Sequence, residues 1–182
     1  MTAAFRELCD VVTAHAALAR AGRPAVLATV VDARGSTYRR PGARMLLGED
    51  DVLAGGVSGG CVEHDLLRKA WFRTRGGGPV LVTYDAAQGD DGDAAWAFGL
   101  GCDGAIDVLL ERVVPGAPGD PVAPLRRVIE ARAPGALVTV IRGDARAARI
   151  GERLVLLGGD VVACTLAAEL VGAALPLARR AL

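Results

Sequence analysis

"AVLATVVDARGSTYRRPGARMLLGEDDVLAGGV", residues 25–57, decides how this chain folds. It opens as a β-branched run over 25–33, continues through the basic turn "RGSTYRRPGAR", and ends in "MLLGEDDVLAGGV", a hairpin turning at Glu49 to Asp51. Two or three strands therefore pair locally. On the N-terminal side, Phe5, Leu8, Val12, Ala16 and Ala19 recur at helical steps, with Thr2 as N-cap and "AGRP" as the stop. On the C-terminal side, "GGVSGGC" runs into "EHDLLRKAWFR" (63–73), a helix whose first turn begins at the glycines.

Beyond residue 78 the pattern repeats. "PVLVTYD" (79–85) is a strand, "AAQGDDGDAAWAFG" an acidic loop, and "AIDVLLERV" (105–113) a strand with Ile106, Val108 and Leu110 on one face. The proline- and glycine-rich "VPGAPGDP" (114–121) marks a boundary between a first domain, 1–113, and a C-terminal α/β segment, 122–182, that packs on it. That segment reads as a helix over 123–132, strands in "ALVTVIRG" and "RLVLLGG", and a last helix through "ACTLAAELVGAALPLARRAL" that Pro176 is expected to kink or end. Strands interleaved with helices give an α/β or α+β class, a mixed β-sheet flanked by helices.

Composition bounds the function. Basic and acidic side chains number 21 each in 182 residues, so no global field draws the chain to nucleic acid or to an anionic membrane. No apolar run reaches the roughly 18 residues of a membrane span, and a cytoplasmic location is expected. Cys9, Cys61, Cys102 and Cys164 stand far apart without zinc or disulfide spacing. They read as reduced thiols, Cys9 and Cys164 as small core residues on helices.

Chemistry concentrates in three stretches. "GGVSGGCVEH" (55–64) feeds a glycine-rich turn into a helix, which presents free N–H groups to an anion. Cys61 lies in that first turn, where the positive helix end favours thiolate, and Glu63 is a first-turn acid that complements the dipole. His64 has the spacing to face the same ligand, but one cysteine and one histidine are half of a tetrahedral zinc site and a solvent-facing histidine is the stronger reading. "RGSTYRRPGAR" offers guanidinium groups and hydroxyls suited to phosphate or carboxylate, or else forms a solvated basic hairpin. "GLGCDG" (99–104) matches G-x-G-x-x-G by letter, yet it enters a strand and not a helix, so it reads as a second glycine turn holding Cys102. Asp85, Asp90, Asp91 and Asp93 fit no EF-hand spacing and read as a solvated acidic loop.

Taken in order, "LATVVDARGSTYRRPGARMLL", "GGVSGGCVEHDLL" and "FGLGCDGAIDVLLE" resemble the N-terminal domain of the XdhC/CoxI family, over roughly residues 5 to 113. The resemblance implies a chaperone, not a turnover enzyme. Such a protein transiently binds the molybdenum cofactor (molybdopterin), protects its sulfurated form and inserts it into an apo molybdenum hydroxylase of xanthine dehydrogenase or CO dehydrogenase type. A cysteine desulfurase is an implied partner, and a homodimer is expected because one small domain encloses little. Carried onto this sequence, the resemblance implies Cys61 as the sulfur or molybdenum contact and Cys102 as a second thiol. It likewise implies Ser36, Arg39, Arg40, Arg44, Ser58, Gly59, Gly60 and Glu63 as the cofactor-binding set. Asp103 departs from the glycine usual in the family after the "GLGC" cysteine. Many members continue into a Rossmann-type domain; none is read before Leu182, so the expectation is a short member, a member whose Rossmann domain is a separate partner chain, or a fragment. The rival reading is a thiol-dependent enzyme or persulfide carrier acting through Cys61, assisted by His64 or Cys102.

Overall fold

The structure, a computed structural model, describes residues 2–85, 104–143 and 148–182, and of Cys61 the backbone alone. The chain divides into two compact units, Met1–Asp120 and Pro121–Leu182.

The first unit opens with α1 (Ala3–Ala21), capped as the sequence indicates: the Thr2 hydroxyl accepts the Phe5 N–H at 3.2 Å, and Gly22 at φ 62° ends the helix. Its buried stripe is Val11, His15 and Leu18, whereas Phe5 is 42% exposed. The expected stripe is therefore rotated by about one residue. Valines at both 11 and 12 and an alanine-rich tail leave the apolar period degenerate, and the packed face is settled by the partner found for His15.

Five strands follow: β1 (Ala25–Arg34), β2 (Arg44–Leu47), β3 (Val52–Gly55), β4 (Val80–Asp85) and β5 (Ala105–Val113). They form one sheet in the order β3-β2-β1-β5-β4, every pair antiparallel. β1 is the axis, pairing Thr29 with Arg44 on one side and Arg34 with Ala105 on the other. Between β3 and β4 runs α2 (Cys61–Arg73), which lays Val62, Leu66 and Ala70 on the face formed by Val26, Ala28, Val30, Met45, Val108 and Leu110. Burying Leu66 there contributes about 2 kcal/mol. Strand alternation turns Leu27, Leu46 and Leu109 to the opposite face, where they are buried too. With both faces covered, β1 and β5 read as nearly continuous apolar runs.

The second unit holds α3 (Ala123–Ala131), β6 (Gly135–Thr139), β7 (Arg153–Leu157), β8 (Asp160–Cys164) and α4 (Ala168–Arg180), with β6-β7-β8 antiparallel. Two expectations are corrected here. The last helix starts at Ala168, because Gly158 and Gly159 (φ 60° and 99°) turn the chain back into β8 along β7. Cys164 thus stands exposed on a strand instead of buried on a helix, while Cys9 is half-buried in α1. Of the two outcomes expected at Pro176, an end to the helix is not seen: α4 continues four residues beyond it with Ala174 and Ala178 packed inward. Antiparallel pairing throughout the described strands makes the class α+β. Among the described residues no helix is long and apolar enough to cross a membrane.

Candidate functional site

Antiparallel pairing sends the C-terminal ends of β1, β3 and β4 and the N-terminal ends of β2 and β5 to the same end of the sheet. The chemical stretches singled out in the sequence are attached there: the basic turn after Arg34, the glycine loop after Gly55 and, of "GLGCDG", the described Gly104 before Ala105. Gly104 marks the approach most sharply. A Cβ on it would lie 2.2 Å from the Ser36 carbonyl oxygen and 2.8 Å from that of Arg34, so only glycine brings β5 in beside the basic turn. Cys102, like Asp90, Asp91 and Asp93, lies outside the described residues.

The glycine loop is organised by Glu63. Its carboxylate accepts the N–H groups of Val57 (2.9 Å), Ser58 (2.6 Å) and Gly60 (3.0 Å), and the Ser58 hydroxyl donates to it as well. Gly60, at φ 131°, takes a backbone conformation that side chains disfavour and opens α2 directly at Cys61. Burial pushes the Glu63 carboxyl up, but the bonds from Ser58 and the loop backbone outweigh it, so its pKa lies below the ordinary value. The N–H groups read from sequence as an anion cradle are thus engaged by the chain's own carboxylate. The positive end of α2 is met by the same group. His64 is exposed.

Arg39 joins this loop to the basic turn. Its guanidinium forks onto Glu7 of α1, Nη1 to Oε2 at 3.1 Å and Nη2 to Oε1 at 2.8 Å. The position that a Cβ on Gly56 would occupy lies 3.5 Å from Arg39 Nη2 and 3.4 Å from Glu63 Oε1, so cation and loop carboxylate flank one glycine. The Tyr38 ring lies against Gly59 in the same way, 3.7 Å from its would-be Cβ. On the other side Arg39, Arg40 and Arg44 line a groove of about 640 Å3, whose opposite wall includes Phe5 and Glu7 of α1. Arg40 is exposed, and Arg44 donates from Nη1 to the Gly42 carbonyl at 2.8 Å. Ser36 is exposed and does not line the groove; its contribution is the carbonyl packed on Gly104.

Sequence reasoning missed the residues that hold this end in place. Asp107 of β5, fully buried, accepts from the Thr83 hydroxyl (2.7 Å) and from Arg34 (3.2 Å), and Arg34 reaches Asp32 at 2.8 Å. A charged residue in the apolar run "AIDVLLERV" is the visible signal. Glu7 and Tyr38 carry no signal beyond residue type. Among the described residues no three His, Cys, Asp or Glu side chains are grouped to hold a metal ion.

The comparisons bear on this same stretch. Residues 18–85, from the end of α1 through β4, match the model of the XdhC and CoxI family. Over this segment the chain is similar to the XdhC and CoxI family. A protein of Bacillus subtilis, named as a probable xanthine dehydrogenase subunit, is 40% identical over 89 residues, 49% of this chain and 26% of that protein. A protein named molybdenum cofactor insertion chaperone PaoD, from Escherichia coli, is 34% identical over 92 residues, 50% of this chain and 27% of its own length. The chain therefore spans about a quarter of the length of each of these two relatives. The crystal structure of a xanthine dehydrogenase from Bacillus halodurans superposes with a TM-score of 0.65 at 30% identity, covering 88% of this chain and 46% of that one.

Proposed function

We propose that this chain is an accessory protein of a molybdenum hydroxylase, one that holds molybdenum cofactor in its sulfurated form and inserts it into an apo-enzyme of xanthine dehydrogenase or CO dehydrogenase type. The observation that carries the reading is the junction of the basic turn and the glycine loop at one sheet end, within the segment matched by the family. The cargo is a pterin with a phosphate and a dithiolene-bound metal, so its holder needs cationic groups for the phosphate and a soft ligand nearby. Arg39, Arg40 and Arg44 line one groove, and Cys61 begins the helix that follows the adjoining loop. In this reading Glu63 acts as a positioning residue. It fixes the loop of Ser58, Gly59 and Gly60 that leads into Cys61, while the guanidinium groups receive the phosphate. A relative named as a molybdenum cofactor insertion chaperone supports the cargo. An apo-hydroxylase and a cysteine desulfurase are the partners this role requires.

The test is anaerobic titration of the purified protein with released molybdenum cofactor, measuring bound molybdenum after gel filtration for the parent and for Cys61→Ser. Stoichiometric retention by the parent, lost in the variant, is the expected result. If the parent retains no molybdenum, the carrier reading fails for this chain.

A further inference from the structure

We infer that the groove between α1 and the 38–44 turn seats the phosphate of a planar phosphate monoester on the Arg39 guanidinium, and that Glu7 is the internal anion this phosphate displaces. The inference rests on the carrier reading above and adds to it the phosphate position, the α1 wall and the competing carboxylate.

Four observations converge. First, Glu7 engages Arg39 through two parallel N–H···O bonds, at 2.8 and 3.1 Å, the same fork a phosphate uses, so the guanidinium is already oriented toward an anion with two oxygens. Second, the pair lies on the groove wall with both side chains 31% exposed. Ion pairs this wet are weak and exchange readily with a stronger anion from solvent. Third, a phosphate monoester brings three terminal oxygens where Glu7 brings two, so one oxygen beyond the fork is left for the neighbouring Arg40. Fourth, the groove is lined by three guanidinium groups, Arg39, Arg40 and Arg44, and one carboxylate, Glu7, and its volume of about 640 Å3 falls in the range of small-molecule sites.

The remaining walls define the rest of the ligand. Tyr38 and Phe5 are 74% and 42% exposed, large rings presented to the groove where a flat heterocycle can lie against them. Tyr38 also meets Gly59, and Arg39 reaches the side of Gly56, so the two residues that would hold the ring and the phosphate both abut the glycine loop from the groove's side. When the phosphate arrives, Glu7 is released toward solvent from the second turn of α1, and the fork passes from carboxylate to phosphate without a change in the sign or geometry of what Arg39 holds.

The experiment titrates the full chain with inorganic phosphate at constant ionic strength, following arginine side-chain N–H signals by NMR, for the parent, Glu7→Gln and Glu7→Ala. Removing the competitor is expected to tighten phosphate binding about fivefold in both variants, the equivalent of one wet ion pair. Arg40→Gln, placed in the Glu7→Gln background, is expected to weaken it again, and the Arg39 signal should move in every binding titration. Unchanged or weaker binding in both Glu7 variants overturns the inference, as does phosphate binding that leaves Arg39 unmoved. Two substitutions of different size guard against a folding defect in either. Molybdenum retention measured on the same proteins separates the two failures: retention by the parent with no phosphate effect at Arg39 sinks this inference alone, whereas no retention sinks the carrier reading.

Discussion

Replacing Glu63 by alanine removes one carboxylate from a loop that has arranged three backbone N–H groups and a hydroxyl around it. A hydrogen bond to a charged acceptor contributes about 1.5–3 kcal/mol, and a donor stranded by deletion costs about 1–3. These contributions do not add here, because Glu63 is only partly buried and water can reach some of the released donors. Loss of the acid also leaves the positive end of α2 uncompensated, a further 0.3–1 kcal/mol or so. The net expectation for Glu63→Ala is a loss of about 2–3 kcal/mol in urea unfolding of the full chain, or a fall of roughly 8 °C in the transition of the first unit. Glu63→Gln should fall between, since its amide nitrogen turns a donor toward N–H and O–H groups that are already donors. The pH dependence gives an independent reading. The folded-state pKa of Glu63 is lowered, so its contribution is fully present above the ordinary glutamate range and is lost as the pH falls through that range toward the folded value. Stability of the parent should therefore drop more steeply in acid than that of Glu63→Ala, and the two curves should converge at low pH. A loss under about 0.5 kcal/mol, or parallel acid slopes, would refute the claim that this carboxylate holds the loop.

Gly104→Ala places a methyl group against two backbone carbonyls that cannot turn away, at 2.2 and 2.8 Å, and is expected to cost about 3 kcal/mol by urea denaturation. In the body of the first unit, His15 of α1 meets Asp120 at 2.7 Å with both side chains buried. Asp120→Ala should destabilise by about 3 kcal/mol, more than Asp120→Asn, which keeps an acceptor for the ring; equal losses in the two would show that packing and not the polar contact matters.

Local pattern makes most of the elements legible, because helix and strand periods, caps and turns are properties of neighbouring residues. Thr2, the Glu49 to Asp51 turn and the glycine start of α2 all stand where the sequence puts them. The misplacements have the same root. Alanine-rich α1 carries too little contrast to fix its buried face, and "GGDVVAC" reads into a helix only if two glycines before a pair of valines, a hairpin signal, are passed over. For the site, sequence supplies the residue types and not their company. That Glu63 turns back onto its own loop is half visible, as a first-turn acid. That Arg39 is shared between Glu7 and the flank of Gly56 depends on how α1 lies against β2 and β3, which no local pattern encodes.

The position of β5 beside β1 has a kinetic consequence. β1, β2, β3 and α2 are consecutive in the chain and can associate through short loops, so the basic turn and the glycine loop come together early. Val30 must wait for Val108, across the whole of α2 and β4, before Gly104 closes on Ser36. Refolding should thus pass through a species in which two of the three stretches are assembled and the third is still open. On the proposed carrier role, a cargo offered to the chain during that interval would meet an incomplete site, with capture timed by the slowest strand pairing in the unit.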